Sequence, residues 1–148
     1  MNKMIKKITF FTIIFLQIFV LYAKKDKKNA DNLPLLNTKW VLTEISETPV
    51  VQGRDTAFIV FNENFKFSGN FGCNLFFGEF TFGKKRIRID YAGSTKKYCF
   101  NNMTLEEQFS KALKNEITHY YIEKNNLVLL QKNQIMCKFE GFAVPLKP

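Results

Sequence analysis

Phenylalanine alternates with small and polar residues in the middle of the chain, and this period of two constrains the fold more than any other feature. The stretches FKFSGNF, FGEFTF and RIRIDY all show it. Successive side chains of a strand point to opposite faces, so each stretch predicts a half-buried antiparallel strand. The faces predicted in this way are Phe65, Phe67, Gly69 and Phe71; Gly78, Phe80 and Phe82; and Ile87, Ile89 and Tyr91.

Further short runs of strand-forming residues lie on both sides of this region. Turn-forming residues at 62–64, 83–85, 124–126 and 132–133 separate the runs, as expected for hairpins. Regularly spaced short strands favour a curved sheet or a barrel. The additional predicted strands span residues 40–45, 57–61, 120–122, 127–130 and 135–139.

Residues 104–117 break the strand pattern and predict one amphipathic helix. Its apolar residues recur at helical spacing and form a single stripe. Thr104 and Glu107 have the spacing of a capping box. A helix this short needs packing to be stable, so we expect the stripe to lie against the concave side of the sheet. The stripe is Leu105, Phe109, Ala112, Leu113 and Ile117.

The N-terminus has the layout of a secretory signal peptide. Lys3, Lys6 and Lys7 precede an uncharged run from Ile8 to Ala23, which is short for a spanning helix of about 20 residues. We predict cleavage after Ala23, with an uncleaved N-terminal anchor as the alternative. No cysteine lies near this junction, so a lipoprotein anchor is not expected.

The predicted organisation is a signal peptide at residues 1–23, a lysine-rich linker at 24–34, one domain at 35–141 and a tail at 142–148. The formal charge is +9, and removing the three signal-peptide lysines leaves +6. Such a charge attracts polyanions weakly. It does not indicate nucleic acid, which we do not expect as a partner of an exported protein.

Three cysteines in an exported chain suggest one disulfide and one spare thiol. Cys73 lies between Gly72 and Asn74, two residue types that tolerate left-handed backbone angles, so a sharp bend is expected there. The candidate partners are Cys99, in an irregular polar stretch, and Cys137, in a strand-like run where a buried thiol behaves as a small hydrophobe.

Two stretches carry a resemblance to a known family. SGNFGCNLFFGEF, at residues 68–80, resembles the first signature of META domains, the group that includes the heat-shock protein HslJ. STKKYCFNNMTLEEQFSKAL, with Thr95 and Cys99, resembles the second signature, although Lys96 and Lys97 replace its usual Arg–Met pair. The resemblance extends over residues 35–140, because LNTKWVLTEI and LVLLQKNQIMCKFE are similar to the family's first strand and last hairpin.

The resemblance implies a small curved sheet around one helix, with Cys73 and Cys99 close together and Cys137 outside both signatures. It therefore predicts a Cys73–Cys99 disulfide. Together with the strand and helix patterns, it leads us to expect an α+β fold: a strongly curved antiparallel sheet of about eight short strands wrapped around one amphipathic helix. The family is associated with the bacterial envelope and with stress responses, and the resemblance implies no enzymatic activity.

The sequence gives little sign of catalytic or cofactor chemistry. His119 is the only histidine and no C-x-x-C motif is present, so nucleophilic, zinc and thioredoxin-type sites are not expected. Glu106 and Glu107 are adjacent on the predicted helix and diverge, and the glycines at 69–78 lack the ending of a phosphate loop. We expect no enzyme, no metal and no cofactor.

A basic cluster is the best candidate for an interaction site. It would bind anionic lipid, lipopolysaccharide or an acidic partner; the alternative is a solvated face that protects a sheet edge. Its residues are Lys84, Lys85, Arg86, Arg88, Lys96 and Lys97.

The function expected from the sequence is a non-enzymatic exported domain of the periplasm or cell envelope. It would bind or support an envelope protein or an anionic envelope component, with transient or peripheral membrane association, in envelope stress or maintenance. The alternative is a small apolar-ligand or lipid-binding protein that uses the curved Phe-rich sheet. An open apolar cavity between sheet and helix would favour that alternative.

Overall fold

The strands follow one another as antiparallel hairpins, interrupted once by a helix. A computed structural model describes residues 32–53, 55–100 and 103–143 of the chain. The predicted signal peptide and most of the predicted linker lie outside these residues. The elements are β1 (Thr38–Ile45), β2 (Thr48–Pro49), β3 (Phe58–Phe61), β4 (Lys66–Asn70), β5 (Leu75–Phe82), β6 (Ile87–Ser94), α1 (Met103–Lys114), β7 (His119–Glu123), β8 (Asn126–Gln131) and β9 (Gln134–Ala143).

Eight of these strands form one continuous antiparallel sheet in the order β6-β5-β4-β3-β1-β9-β8-β7, and the two-residue β2 pairs with β1. The two edge strands meet at one end, where Arg86 pairs with His119. There Ile87 N donates to Thr118 O at 3.2 Å and Tyr120 N donates to Lys85 O at 3.1 Å. The sheet therefore curls into a half-barrel around α1, which confirms the predicted α+β fold.

The alternating phenylalanines of β4 and β5 form the inner face, as predicted, with two exceptions, Phe65 and Phe82. Phe82 continues the alternation to the end of β5 but is 38% exposed. Phe67, Phe71, Phe76 and Phe80 are buried. Phe65 was placed on the same face, and that prediction is wrong. It has φ of 59° and is 56% exposed, because it ends the turn after β3 and β4 begins one residue later.

Two glycines of the inner face allow aromatic rings to lie flat against the neighbouring strand. Gly69 pairs with Phe76, and Gly78 pairs with Phe67. A Cβ atom at Gly69 would lie 2.5 Å from Phe76 Cζ, and one at Gly78 would lie 2.5 Å from Phe67 Cζ. Each ring thus occupies the space in which a side chain at the opposite position would lie. It packs over a glycine, which has no side chain of its own.

Helix α1 fills the concave side of the sheet through the predicted stripe. Phe109 is fully buried, and its ring centroid lies 5.3 Å from that of Phe71, 5.6 Å from Phe76 and 5.9 Å from Phe139. Aromatic rings at such distances attract each other in addition to burying apolar area. The described part of the chain holds no helix with the length and apolarity needed to cross a membrane.

The ends of α1 differ from the prediction. The helix begins at Met103, so Thr104 lies inside its first turn rather than at the cap position of a capping box. It ends at Lys114, and Ile117 is buried from the connection to β7 instead of from the helix. The helical spacing of apolar residues continues past the end of α1 because Ile117, in the connection, also faces the core.

Candidate functional site

The turn between β4 and β5 bends at Gly72, which has φ of 100°. Phe71 N donates to Asn74 O at 2.8 Å, and Gly72 N donates to the Asn70 side-chain oxygen at 2.7 Å. The expected role of glycine at this bend is therefore confirmed. Asn74 does not adopt a positive φ, so an asparagine is needed here for its side chain and not for its backbone.

The disulfide joins this turn to the segment that precedes α1. Cys73 is bonded to Cys99, with a Cα–Cα distance of 6.3 Å, within the usual range of about 4.4–6.8 Å. This is the pairing that the resemblance predicted. Cys137 is a free, buried cysteine, and burial raises the pKa of its thiol.

Asn74 is a buried residue, only 3% exposed, and is the centre of a partly buried hydrogen-bond network beside the disulfide. Its Oδ1 accepts from Lys97 N and from Thr95 Oγ1, both at 2.7 Å. Its Nδ2 donates to Lys97 O at 3.0 Å and to the two carboxylate oxygens of Glu106 at 3.0 and 2.9 Å. The partners fix the orientation of the amide, because a backbone N–H only donates, whereas a carbonyl and a carboxylate only accept.

The Asn74 amide binds the segment 95–99 as a neighbouring strand would, since it pairs with both backbone groups of Lys97. Glutamine has an additional methylene group, and aspartate lacks the two donors that reach Lys97 O and Glu106. Thr95 completes the attachment: its N donates to Leu75 O at 2.9 Å, and its hydroxyl accepts from Leu75 N at 3.1 Å. Turn, segment and helix are thus held together at one side chain.

Lys96 and Lys97 replace the family's usual Arg–Met pair, and the replacement retains the attachment of the segment 95–99 to Asn74. Only the backbone of Lys97 contacts Asn74. The side chains of both lysines are exposed. The attachment of the segment therefore does not depend on which side chains stand at these two positions.

The six residues of the basic cluster fall into two groups at opposite ends of β6. Lys84 and Lys85 lie in the turn before β6, next to Arg86, whereas Lys96 and Lys97 follow its other end. An eight-residue strand spans about 25 Å at about 3.3 Å per residue. Arg88, on β6, forms an exposed ion pair with Asp90 at 3.0 Å, and such pairs contribute little to stability.

A surface cleft of about 620 Å³ lies between β6 and the C-terminal end of α1. Both basic and acidic residues line the cleft, so it is not specific for a ligand of one charge. The charged residues are Arg86, Arg88, Asp90, Lys114 and Glu116. His119 begins β7, and its Nδ1 lies 2.8 Å from Thr118 Oγ1. Within the described ranges, no group of three His, Cys, Asp or Glu residues is arranged to hold a metal ion.

Sequence reasoning missed Asn74 and Glu106 as partners. It assigned Asn74 to the backbone bend and dismissed Glu106 as diverging from Glu107. A signal was available for Asn74, because an asparagine directly after the turn cysteine is part of the first signature. For Glu106 the only signal was its place in the first helical turn, where the helix dipole favours a carboxylate.

Comparison with known proteins agrees with this architecture. Two solved structures resemble the chain. An NMR structure is 24% identical, covers 70% of this chain and 88% of its own, and has a TM-score of 0.55. An NMR structure of a protein from Burkholderia xenovorans is 18% identical, covers 74% of this chain and 85% of its own, and has a TM-score of 0.57.

At these identities the two structures support the fold alone. No curated protein matches the chain. The family model of the META domain matches residues 33–140, which include the β4–β5 turn, both bonded cysteines and all of α1. The chain therefore belongs to the META domain family.

Proposed function

We propose that this protein is an exported, non-enzymatic domain of the bacterial cell envelope that acts by binding an envelope component. The observation that carries the proposal is the Cys73–Cys99 disulfide at the centre of the META signatures. Disulfides persist in oxidising compartments such as the periplasm and are rare in the cytosol. The signal-peptide layout of residues 1–23 and the association of META domains with the envelope and with stress responses support the same location.

Binding rather than catalysis is supported by how the polar groups of the signature region are used. Asn74 binds four partners, and the Glu106 carboxylate is one of them. Cys73 and Cys99 are oxidised, so neither offers a thiolate nucleophile. These side chains hold the backbone together, and each already has a partner in the fold.

The apolar-ligand alternative has less support. Phe109 from α1 fills the concave side of the sheet, in contact with Phe71, Phe76 and Phe139. The two clefts between β6 and α1 lie at the surface and have mixed polar and apolar linings. We therefore favour a partner that binds to the outside of the domain.

The test of location combines cell fractionation with thiol trapping. Cells are quenched with acid, free thiols are alkylated, and the envelope fraction is mapped without reduction. We expect a linked 73–99 peptide pair in that fraction and a mature N-terminus at Lys24. Cys137→Ser is the matched control and should leave the linked pair unchanged. A protein that is recovered reduced from the cytosol would refute the proposal.

The test of binding uses co-purification from native envelopes. Lys84→Glu with Lys85→Glu changes one basic group, and Lys96→Glu with Lys97→Glu changes the other. Because the two groups lie at opposite ends of β6, a binding surface at one end predicts loss of the partner in one double variant only. Full retention of the partner in both would exclude the four lysines as the binding surface.

A further inference from the structure

The segment 95–100 has an attached side and a free side. Thr95, Lys97 and Cys99 hold it to the β4–β5 turn through a side chain, a backbone and a disulfide. The alternate residues Lys96, Tyr98 and Phe100 are exposed, with Tyr98 at 77% and Phe100 at 83%. Two aromatic side chains thus stand in solvent on a segment that is fixed at every second residue.

More exposed apolar side chains lie on the elements that flank this segment: Leu75 is hydrogen-bonded to Thr95, and Phe77 pairs with Gly93. Leu75 and Phe77 lie on the outer face of β5, because Phe76 and Gly78 face the core. Met103, at the start of α1, is exposed as well. We call this set the disulfide-loop surface; it consists of Leu75, Phe77, Lys96, Tyr98, Phe100 and Met103.

The segment that carries Tyr98 and Phe100 has a positive charge. The sequence from Tyr91 to Met103 contains Lys96 and Lys97 and no acidic residue. Carboxylates lie at its border: Glu79 is two residues from Phe77 on the outer face of β5, and Glu107 lines a cleft together with Lys97. Glu106 is bound to Asn74. Lys96 therefore stands among the outward aromatic side chains without an acidic neighbour in its own segment.

From this combination we propose that the disulfide-loop surface docks on an anionic phospholipid bilayer. Exposed aromatic rings with flanking lysines are typical of the membrane–water interface, where the rings lie at headgroup level and the lysines reach lipid phosphates. Protein–protein interfaces are enriched in aromatic residues, methionine and arginine but depleted in lysine. In this surface the one charged side chain is Lys96, with Lys97 next to it in the chain, and no arginine is present. The proposal deepens the proposed function, because it rests on the envelope location and names the bilayer as the partner.

The rigid attachment of the segment favours insertion. A flexible loop loses conformational entropy when it is ordered at an interface, whereas this segment is already held by the disulfide and by Asn74. Its aromatic side chains project from the fixed backbone before any contact with lipid. Docking therefore requires no folding step, and we expect it in the oxidised protein.

The test places a tryptophan on the surface and measures quenching by brominated lipid. The chain has one tryptophan, Trp40, which is fully buried and so gives an unquenched background. Phe100→Trp reports on the disulfide-loop surface. Phe65→Trp is the matched control, because Phe65 is an exposed phenylalanine at the opposite end of β4.

The full-length oxidised chain is mixed with phosphatidylglycerol–phosphatidylcholine vesicles that contain brominated acyl chains. We expect Phe100→Trp emission to be quenched several-fold more than that of Phe65→Trp or of the wild type. Emission is quenched only when the tryptophan itself lies close to the brominated acyl chains. Binding of the vesicle through the N-terminal segment alone therefore leaves Phe100→Trp unquenched. Quenching of Phe65→Trp alone, or of neither variant, overturns the proposal.

A second measurement tests the charge requirement in the Phe100→Trp background. Lys96→Gln with Lys97→Gln should weaken vesicle docking by about fivefold for each lysine that approaches the lipid surface, and purely zwitterionic vesicles should give a similar loss. Lys84→Gln with Lys85→Gln is the matched control at the other end of β6 and should leave docking unchanged. Equal losses in the two double variants would overturn the proposal.

The failures of this inference and of the proposed function are distinguishable. A chain that is exported and oxidised, but whose Phe100→Trp variant is not quenched, refutes bilayer docking and leaves the envelope location standing. If Phe100→Trp emission then depends on protein concentration, the occupant of the surface is a second copy of the chain. A chain that docks on vesicles but is found reduced in the cytosol refutes the location instead.

Discussion

Replacement of Asn74 by alanine should destabilise the domain by about 4–5 kcal/mol. The substitution removes hydrogen bonds to Lys97 N, Lys97 O, Thr95 Oγ1 and the Glu106 carboxylate. Three of these are neutral bonds, worth about 1 kcal/mol each, and the bond to the carboxylate is worth somewhat more. The cost stays near the sum of net bond energies because the segment 95–97 is exposed, so the released groups reach water.

The assay is urea unfolding of the oxidised protein, followed by fluorescence. Trp40 is the only tryptophan and is fully buried, so its emission reports loss of the core. With a slope of about 1–3 kcal/mol per molar urea, the midpoint should fall by at least about 1 M. Asn133→Ala, in the exposed turn between β8 and β9, is the control and should cost less than about 0.5 kcal/mol.

Asn74→Asp separates hydrogen bonding from side-chain volume. Aspartate has nearly the same shape but lacks the donors to Lys97 O and Glu106, and it places two carboxylates in contact. We expect a loss at least as large as for alanine, with partial recovery when Glu106→Gln is added. An Asn74→Ala loss below about 1 kcal/mol, or one equal to that of the control, would refute the account of Asn74 as the residue that holds turn, segment and helix together.

Three further predictions test the core. Phe109→Ala should cost about 3–5 kcal/mol because the ring is fully buried, whereas exposed Gln108→Ala should change little; equal effects would contradict the orientation of α1. Gly78→Ala should cost about 1–3 kcal/mol, because its Cβ would collide with the backbone oxygen of Asp90 and with the Phe67 ring, and Gly83→Ala, which has open space, should be neutral. Cys137 should resist alkylation in the native protein, because burial raises the pKa of its thiol, and should react once urea unfolds the chain; modification at the unfolded rate in native buffer would contradict its burial.

The sequence predicted which residues face the core far better than which strands are neighbours. A period of two in FKFSGNF, FGEFTF and RIRIDY follows directly from backbone geometry, and the inner face of β4 and β5 was identified from it. The period carries no information on pairing between distant segments. The contact of β1 with β9, which includes a hydrogen bond from Thr43 to Lys138 O, joins the two ends of the domain and was not predictable from local patterns.

The errors arose where a local pattern continued into a backbone of a different kind. Phe65 fits the alternation of β4, but the turn before the strand gives it a positive φ. Ile117 fits the helical period of α1, yet the helix ends at Lys114. Asn74 was assigned to the backbone because asparagine is common in bends, whereas its amide is required by partners that come from two other segments. Such partners are known only once the fold is known.

Asn74 and the disulfide hold the same segment to the same turn, and this redundancy predicts how the domain responds to reduction. A disulfide at a sequence separation of 26 stabilises by about 3–4 kcal/mol, similar to the estimate for Asn74, while a domain of this size has about 5–15 kcal/mol in total. Loss of either should therefore leave the protein folded, and loss of both should bring it close to unfolding. The measurement is Trp40 emission with and without dithiothreitol: the wild type should keep its native emission after reduction, and Asn74→Ala should lose it. If the reduced wild type unfolds as readily as reduced Asn74→Ala, the disulfide alone holds the segment, and the hydrogen bonds of Asn74 add little.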